Sequence, residues 1–238
     1  MGFDGCISIF RLSLENFFWL CRIFLLNLRQ NIDEMSEYNI EQKVISCIKK
    51  CGRGSFFFSA DFVRFGELKS INKALERLCN DGIIIRVGRG IYYYPKIDRA
   101  LNLGVLYPSL EQIANAVAKR DNARIVPTGI YALNRLGFST QVPTNVVYLT
   151  DGSPRKITLS TGGTIQFKRT APKNLAFNSD LAMLLTFAFK SIGKENVTEE
   201  MMNHARFLLH KDASQTVKSD YKRMPAWVSS IIKSLYEE

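Results

Sequence analysis

The 238-residue chain is 46% hydrophobic and 23% charged, with a formal net charge of +10. That balance supports a packed core and excludes bulk disorder, and the basic surplus points to a polyanionic partner, most commonly nucleic acid. The surplus is spread over the chain (net −1 over residues 1–34, +4 over 35–98 and +7 over 99–238), so motifs must locate a binding face.

The first segment, residues 17–28, reads FFWLCRIFLLNL. It is too short for a membrane span, which needs roughly 20 apolar residues, and Arg22 interrupts it. It also lacks the basic start and small-residue cleavage site of a signal peptide. Met35 then opens MSEYNIEQKVISCIKK, an ordinary cytosolic beginning. The expectation is that Met35 is the native start and residues 1–34 are an upstream in-frame translation. The rival is an amphipathic anchor. Residues 1–36 are set aside as an extension, 37–98 form an N-terminal module, and 99–238 form a second domain.

In the N-terminal module, Ile40, Val44, Ile45 and Ile48 recur at helical spacing, with Lys49 and Lys50 in the last turn and Gly52 as the stop. Phe56 to Phe58 reads as a short extended piece. Ser59 is expected to cap a short second helix ending at Gly66, and Ser70 to cap a third. Along that third helix Ile71, Ala74, Leu75 and Leu78 form one apolar stripe, while Asn72, Lys73, Glu76 and Arg77 lie opposite. Asn80-Asp81-Gly82 ends it. Two β-prone runs within IIIRVGRGIYYYP then flank Gly88-Arg89-Gly90, whose glycines suit a hairpin turn.

A long helix, two short helices and a basic-tipped hairpin is the order of a winged helix-turn-helix. The third helix would enter the major groove, where Asn72 can pair with adenine and Lys73 or Arg77 with guanine. Ser70 and the helix N-terminus would hold a phosphate. Lys69, Arg86 and Arg89 would add salt-sensitive backbone affinity. Glu67 and Glu76 lie near the same surface, and winged helices also serve as protein-interaction modules, so that reading stays open.

The second domain is expected to be mixed α+β. Ser109 caps a helix carrying Leu110, Ile113, Ala114 and Val117, and Arg124 to Val126 is a strand. Thr128 or Gly129 starts a helix that runs to Leu136. Val146–Thr150, Lys156–Ser160 and Thr164–Arg169 read as a three-stranded antiparallel meander turning at Asp151-Gly152 and Gly162-Gly163. The remainder is helical, with caps at Ser179 and Thr198 and Pro225 before the final helix. Arg155, Lys156, Lys168, Arg169 and Lys173 surround the meander as a basic edge.

The stretches KKCGRGSFFFSADF and INKALERLCNDGIIIRVGRGIYYYP resemble the N-terminal domain of AbiEi-type antitoxins of bacterial type IV toxin–antitoxin systems. RIVPTGIYALNRLGFSTQVPTNVVYLTDGSPRKI, from Arg124 to Ile157, is similar to a related antitoxin-like subgroup, departing from it at Ile130-Tyr131-Ala132 and Phe138. The resemblance runs from about Glu37 to the C-terminus. It implies a cytoplasmic transcriptional repressor that binds double-stranded DNA at its own promoter. It further implies a nucleotidyltransferase toxin, or that toxin's substrate, as the thing opposed. A homodimer is compatible with this, and a membrane partner is not expected. Two alternatives remain: a regulator without a toxin, and a protein- or RNA-interaction module.

An enzyme is not expected. The chain has no P-loop, no H-E-x-x-H and no G-x-S-x-G, and neither Gly52-Arg53-Gly54 nor Gly88-Arg89-Gly90 opens a helix after a strand. Cys6, Cys21, Cys47, Cys51 and Cys79 are odd in number and absent after position 79, which argues against a disulfide scaffold. His204 and His210 are too far from them to complete a zinc site. Free thiols, and neither a metal nor another cofactor, are expected.

Overall fold

The computed structural model describes residues 39–98, 102–212 and 216–237. The expectations for residues 1–36 lie outside the described residues. The chain is α+β and divides into two compact units, one of residues up to Ile85 with Tyr92–Lys96, the other of Arg86–Ile91 with Ile97–Glu238.

In the first unit α1 (residues 39–51) buries Ile40, Val44 and Ile48 at four-residue spacing. Gly52 ends it at φ 82, a left-handed conformation that costs a glycine little. Strand β1 (Phe56–Phe58) follows. The segment Ser59–Phe65 forms a tighter 3-10 helix, and Ser59 does not cap it. Instead the Asp61 carboxylate accepts the Phe58 N–H at 2.8 Å. Helix α2 (Leu68–Asn80) begins earlier than the Ser70 cap would require. Its first bond, Ile71 N–H to the Glu67 carbonyl, closes at 3.0 Å, so Ser70 lies inside the first turn and cannot terminate it.

Strands β2 (Ile85–Gly88) and β3 (Ile91–Tyr93) form a hairpin, and the sheet order is β1-β3-β2. Ile71, Ala74, Leu75 and Leu78 of α2 pack with α1, Phe57, Phe62, Ile84 and Tyr92 into one core. Each fully buried aliphatic or aromatic side chain there contributes roughly 1.5–3 kcal/mol. Arg53 locks the end of β3, donating to the Pro95 carbonyl at 2.8 Å with its guanidinium over the Tyr94 ring.

After the hairpin come β4 (Lys96–Asp98) and β5 (Gly104–Leu106), which pair as a two-stranded ladder. Helix α3 (Leu110–Arg120) carries a reciprocal cap: the Ser109 hydroxyl accepts the Gln112 N–H and the Gln112 side chain accepts the Ser109 N–H. Then come β6 (Ile125–Thr128), α4 (Ile130–Arg135), β7 (Asn145–Thr150), β8 (Arg155–Thr158) and β9 (Thr164–Arg169).

The three expected strands form, but not as a meander. The sheet order is β6-β7-β9-β8, with β7 and β9 parallel and both edge pairs antiparallel. The reason lies in the turn after β7. The Asp151 carboxylate accepts the Arg124 N–H at 2.8 Å, and the Thr150 hydroxyl accepts the Gly152 N–H at 3.0 Å. That turn is therefore tied back to the start of β6 and does not close a β7–β8 hairpin. Gly163 permits β9 to slot in beside β7, since a Cβ there would lie 2.3 Å from the Thr144 carbonyl oxygen.

Helices α5 (Asp180–Ile192), α6 (Glu199–Lys211) and α7 (Ala226–Glu237) complete the unit with α4 around a second core. Ser179 and Thr198 cap α5 and α6 through their hydroxyls. Asp220, wholly buried, accepts the Asn178 and Ser179 N–H groups and an ion pair from Arg223.

Candidate nucleic-acid interface

The apolar stripe of α2 fixes what its other side shows. With Ile71, Ala74, Leu75 and Leu78 inward, Lys69, Asn72, Lys73 and Glu76 emerge exposed at i, i+3, i+4 and i+7, a single helix face. Two cations and a carboxamide thus stand in the first half of the helix, and one carboxylate follows. Ser70 is half-buried. Arg77 is turned to the flank, its guanidinium 3.7 Å from the Glu41 carboxylate of α1. Of the residues expected to read bases, Asn72 and Lys73 share the exposed face, while Arg77 braces two helices.

The hairpin tip, residues 86–91, clusters with the second unit. Gly90 turns it at φ 70, leaving Arg89 exposed. Gly88 bridges Leu159, and the Ser160 N–H donates to the Val87 carbonyl at 2.9 Å. The Ser160 hydroxyl also donates to the Arg86 carbonyl at 2.5 Å. The backbone on the outer side of β2 is therefore occupied, while the Arg86 and Arg89 side chains remain exposed.

The expected basic edge is only partly that. Lys156, Lys168 and Arg169 are exposed, but Arg155 is half-buried against the Asp121 carboxylate, and burial lowers its pKa, as does neighbouring Arg120.

Sequence reasoning missed a cleft within the second unit. Its inner chamber, about 260 Å³, is walled by α3, β6, β7 and α5, and Glu111, Asn115, Tyr148 and Asp180 line it beside apolar Ile125 and Met183. Its outer chamber, about 720 Å³, shares Asn115, Ile125, Asp180 and Met183 and adds Lys119, Arg124 and Arg223. Glu111 and Arg135 form a 2.7 Å ion pair at the inner chamber. Tyr148 is 1% exposed and stacks near Phe167. Tyr131 lies beside it, at 5.9 Å between ring centroids. The two phenols are close enough to perturb each other's ionisation, yet the Tyr148 hydroxyl makes no hydrogen bond of acceptable geometry. Burial pushes the Tyr148 phenol far up, and Tyr131 more modestly.

Among the described residues no group of three His, Cys, Asp or Glu is placed to hold a metal ion, and Cys47, Cys51 and Cys79 form no disulfide. No helix among them is long and apolar enough to cross a membrane. His204 is half-buried, its Nε2 2.8 Å from the Leu136 carbonyl.

The molecule is thus a two-unit α+β protein, with a polar helix face in one unit and a polar-lined cleft in the other. It belongs to DUF6088, a family of unknown function, which matches residues 43–217 and so takes in parts of both units. No curated protein matches the chain.

Proposed function

We propose that residues 39–98 form a winged helix-turn-helix that binds double-stranded DNA through α2, and that the protein represses its own operon. The observation that carries this reading is the Lys69–Asn72–Lys73 face. It stands opposite a buried stripe, at the helix half that such modules insert in the major groove. The element order agrees: α1, β1, a short 3-10 helix, α2, then a hairpin whose second strand pairs with β1. The arginine at the hairpin tip supplies a phosphate contact. Binding is the whole of the assigned role, with no catalysis.

The resemblance to AbiEi-type antitoxins extends the proposal. The second unit would counter a nucleotidyltransferase toxin encoded beside this gene, acting on the toxin or on its substrate. A gel shift of the full chain with its own upstream DNA tests the first part. A retarded band that survives excess non-specific competitor is expected, and its absence would sink the DNA reading. Growth rescue of cells expressing the neighbouring nucleotidyltransferase tests the second. Rescue by the full chain but by no chain lacking the second unit is expected. Rescue that tracks repression alone would remove the antitoxin role from that unit.

A further inference from the structure

The cleft of the second unit has a built polar floor. Helix α3 places Glu111, Asn115 and Lys119 at four-residue spacing, hence on one face, running from the inner chamber to the outer. The sequence of chemistries along that face is carboxylate, carboxamide, ammonium. The opposite wall begins with Asp180 at the first position of α5, and it lines both chambers. Tyr148 contributes a buried hydroxyl that makes no hydrogen bond of good geometry and lies within electrostatic reach of the Tyr131 phenol and Glu111, so a bound polar group can complete its bonding. Apolar Ile125 and Met183 provide flat contact surface in both chambers.

We propose that this cleft binds a nucleotide, with the base in the inner chamber, the ribose between Asn115 and Asp180, and the phosphate at Lys119 and Arg124. The inner chamber admits a ring system and no more, and it offers both acceptor and donor groups to a base edge. The Glu111 carboxylate, oriented by its ion pair with Arg135, keeps acceptor capacity for an exocyclic amine, and the Tyr148 hydroxyl either donates or accepts. A carboxylate beside the sugar suits the ribose hydroxyls, as in dinucleotide sites. Lys119 and Arg124 are exposed cations at the wide end, where a dianion meets them without full desolvation. Arg223 is already paired with Asp220 and plays a lesser part. The same chemistry is presented by a free mononucleotide and by the terminal nucleotide of a single strand. The site lies wholly in the second unit, so it does not depend on the DNA reading of α2.

Calorimetric titration of the full chain with the four 5′-nucleoside monophosphates, the four matching nucleosides, ribose 5-phosphate and inorganic phosphate tests this. At least one nucleotide is expected to bind, more tightly than ribose 5-phosphate or phosphate. Lys119→Ala should weaken the bound nucleotide several-fold and leave its own nucleoside unchanged. Tyr148→Phe should weaken both by about 3–10-fold, the worth of one hydrogen bond, while the thermal midpoint stays level or rises. A short RNA oligonucleotide run in parallel identifies the source, since tighter binding of its terminus than of the monophosphate assigns the site to strand ends. Failure of every nucleotide to bind at millimolar concentration overturns the proposal. So does competition by phosphate as effective as by nucleotide, which would make this an anion site only. Binding indifferent to both substitutions overturns it too.

Discussion

Asn72 and Lys73 are exposed on one face in the first half of α2, and each side chain carries a donor pattern that one base edge matches. Asn72→Ala and Lys73→Ala are each expected to cut specific operator binding by about 1–3 kcal/mol, read by gel shift against non-specific DNA. Unchanged footprints in both would take α2 out of the groove. Buried phenols make a second prediction. Burial raises Tyr131 and Tyr148, and Tyr236 is raised the same way with Asp212 adding to it. In the unfolded chain these groups ionise near pH 10, while in the folded chain they hold their protons beyond it. The folded state then binds more protons than the unfolded one. Stability is intact below about pH 10 and falls as pH rises past it. Denaturant midpoints from about pH 8 to about pH 11 should show that decline, and Tyr148→Phe should make it shallower. A flat profile would mean these hydroxyls reach water.

At the scale of elements, the hairpin β2–β3 offers Arg89 at its turn. If that guanidinium neutralises one phosphate, Arg89→Ala lowers the slope of log K against log salt by about 0.9, and weakens all sequences alike. Lost selectivity at constant slope would mean it reads bases. Elements were legible in the sequence where one signal decides them. The four-residue spacing of α1, the apolar stripe of α2, and the Ser109, Ser179 and Thr198 caps are each local. Ser59 and Ser70 misled because a serine beside a helix start is also compatible with the first turn, and Asp61 and the Glu67 carbonyl hold those termini instead. The parallel pairing of β7 with β9 was not legible. It depends on Asp151 reaching the Arg124 amide, 27 positions away, and hairpin turn signals carry no information about that. The cleft was hidden for a related reason. Glu111 and Asn115 are polar positions of α3 with no local signal of a cavity, and β7 brings Tyr148 into the same chamber from more than 30 positions away.

For the whole molecule, the hairpin tip links distant parts of the chain: Ser160 bonds to Arg86 and Val87 across more than 70 positions. A chain ending after Asp98 keeps the first core intact but lacks those partners. Its helical circular dichroism should persist, whereas amides of residues 86–91 should exchange hydrogen faster than in the full chain. Equal protection in both would show that the hairpin stands without Ser160. If the first unit binds DNA as proposed, such a fragment does so with a less ordered tip, and a reduced salt slope in it is the companion result.

The four-stranded sheet has two outer strands, and each ends in a way that discourages a neighbour. Pro127 sits within β6 and has no N–H to offer, while β8 begins at Arg155 and Lys156 just after Pro154. A foreign strand approaching β6 meets a residue without a donor, and one approaching β8 meets exposed Lys156 and, just past the strand's end, the Gly88–Leu159 bridge. The central pair β7 and β9, which buries Val146, Tyr148, Ile165 and Phe167 on one face, is flanked by β6 on one side and β8 on the other. The pair that carries the buried side chains of the sheet is thus kept off its edges, where a second chain would pair.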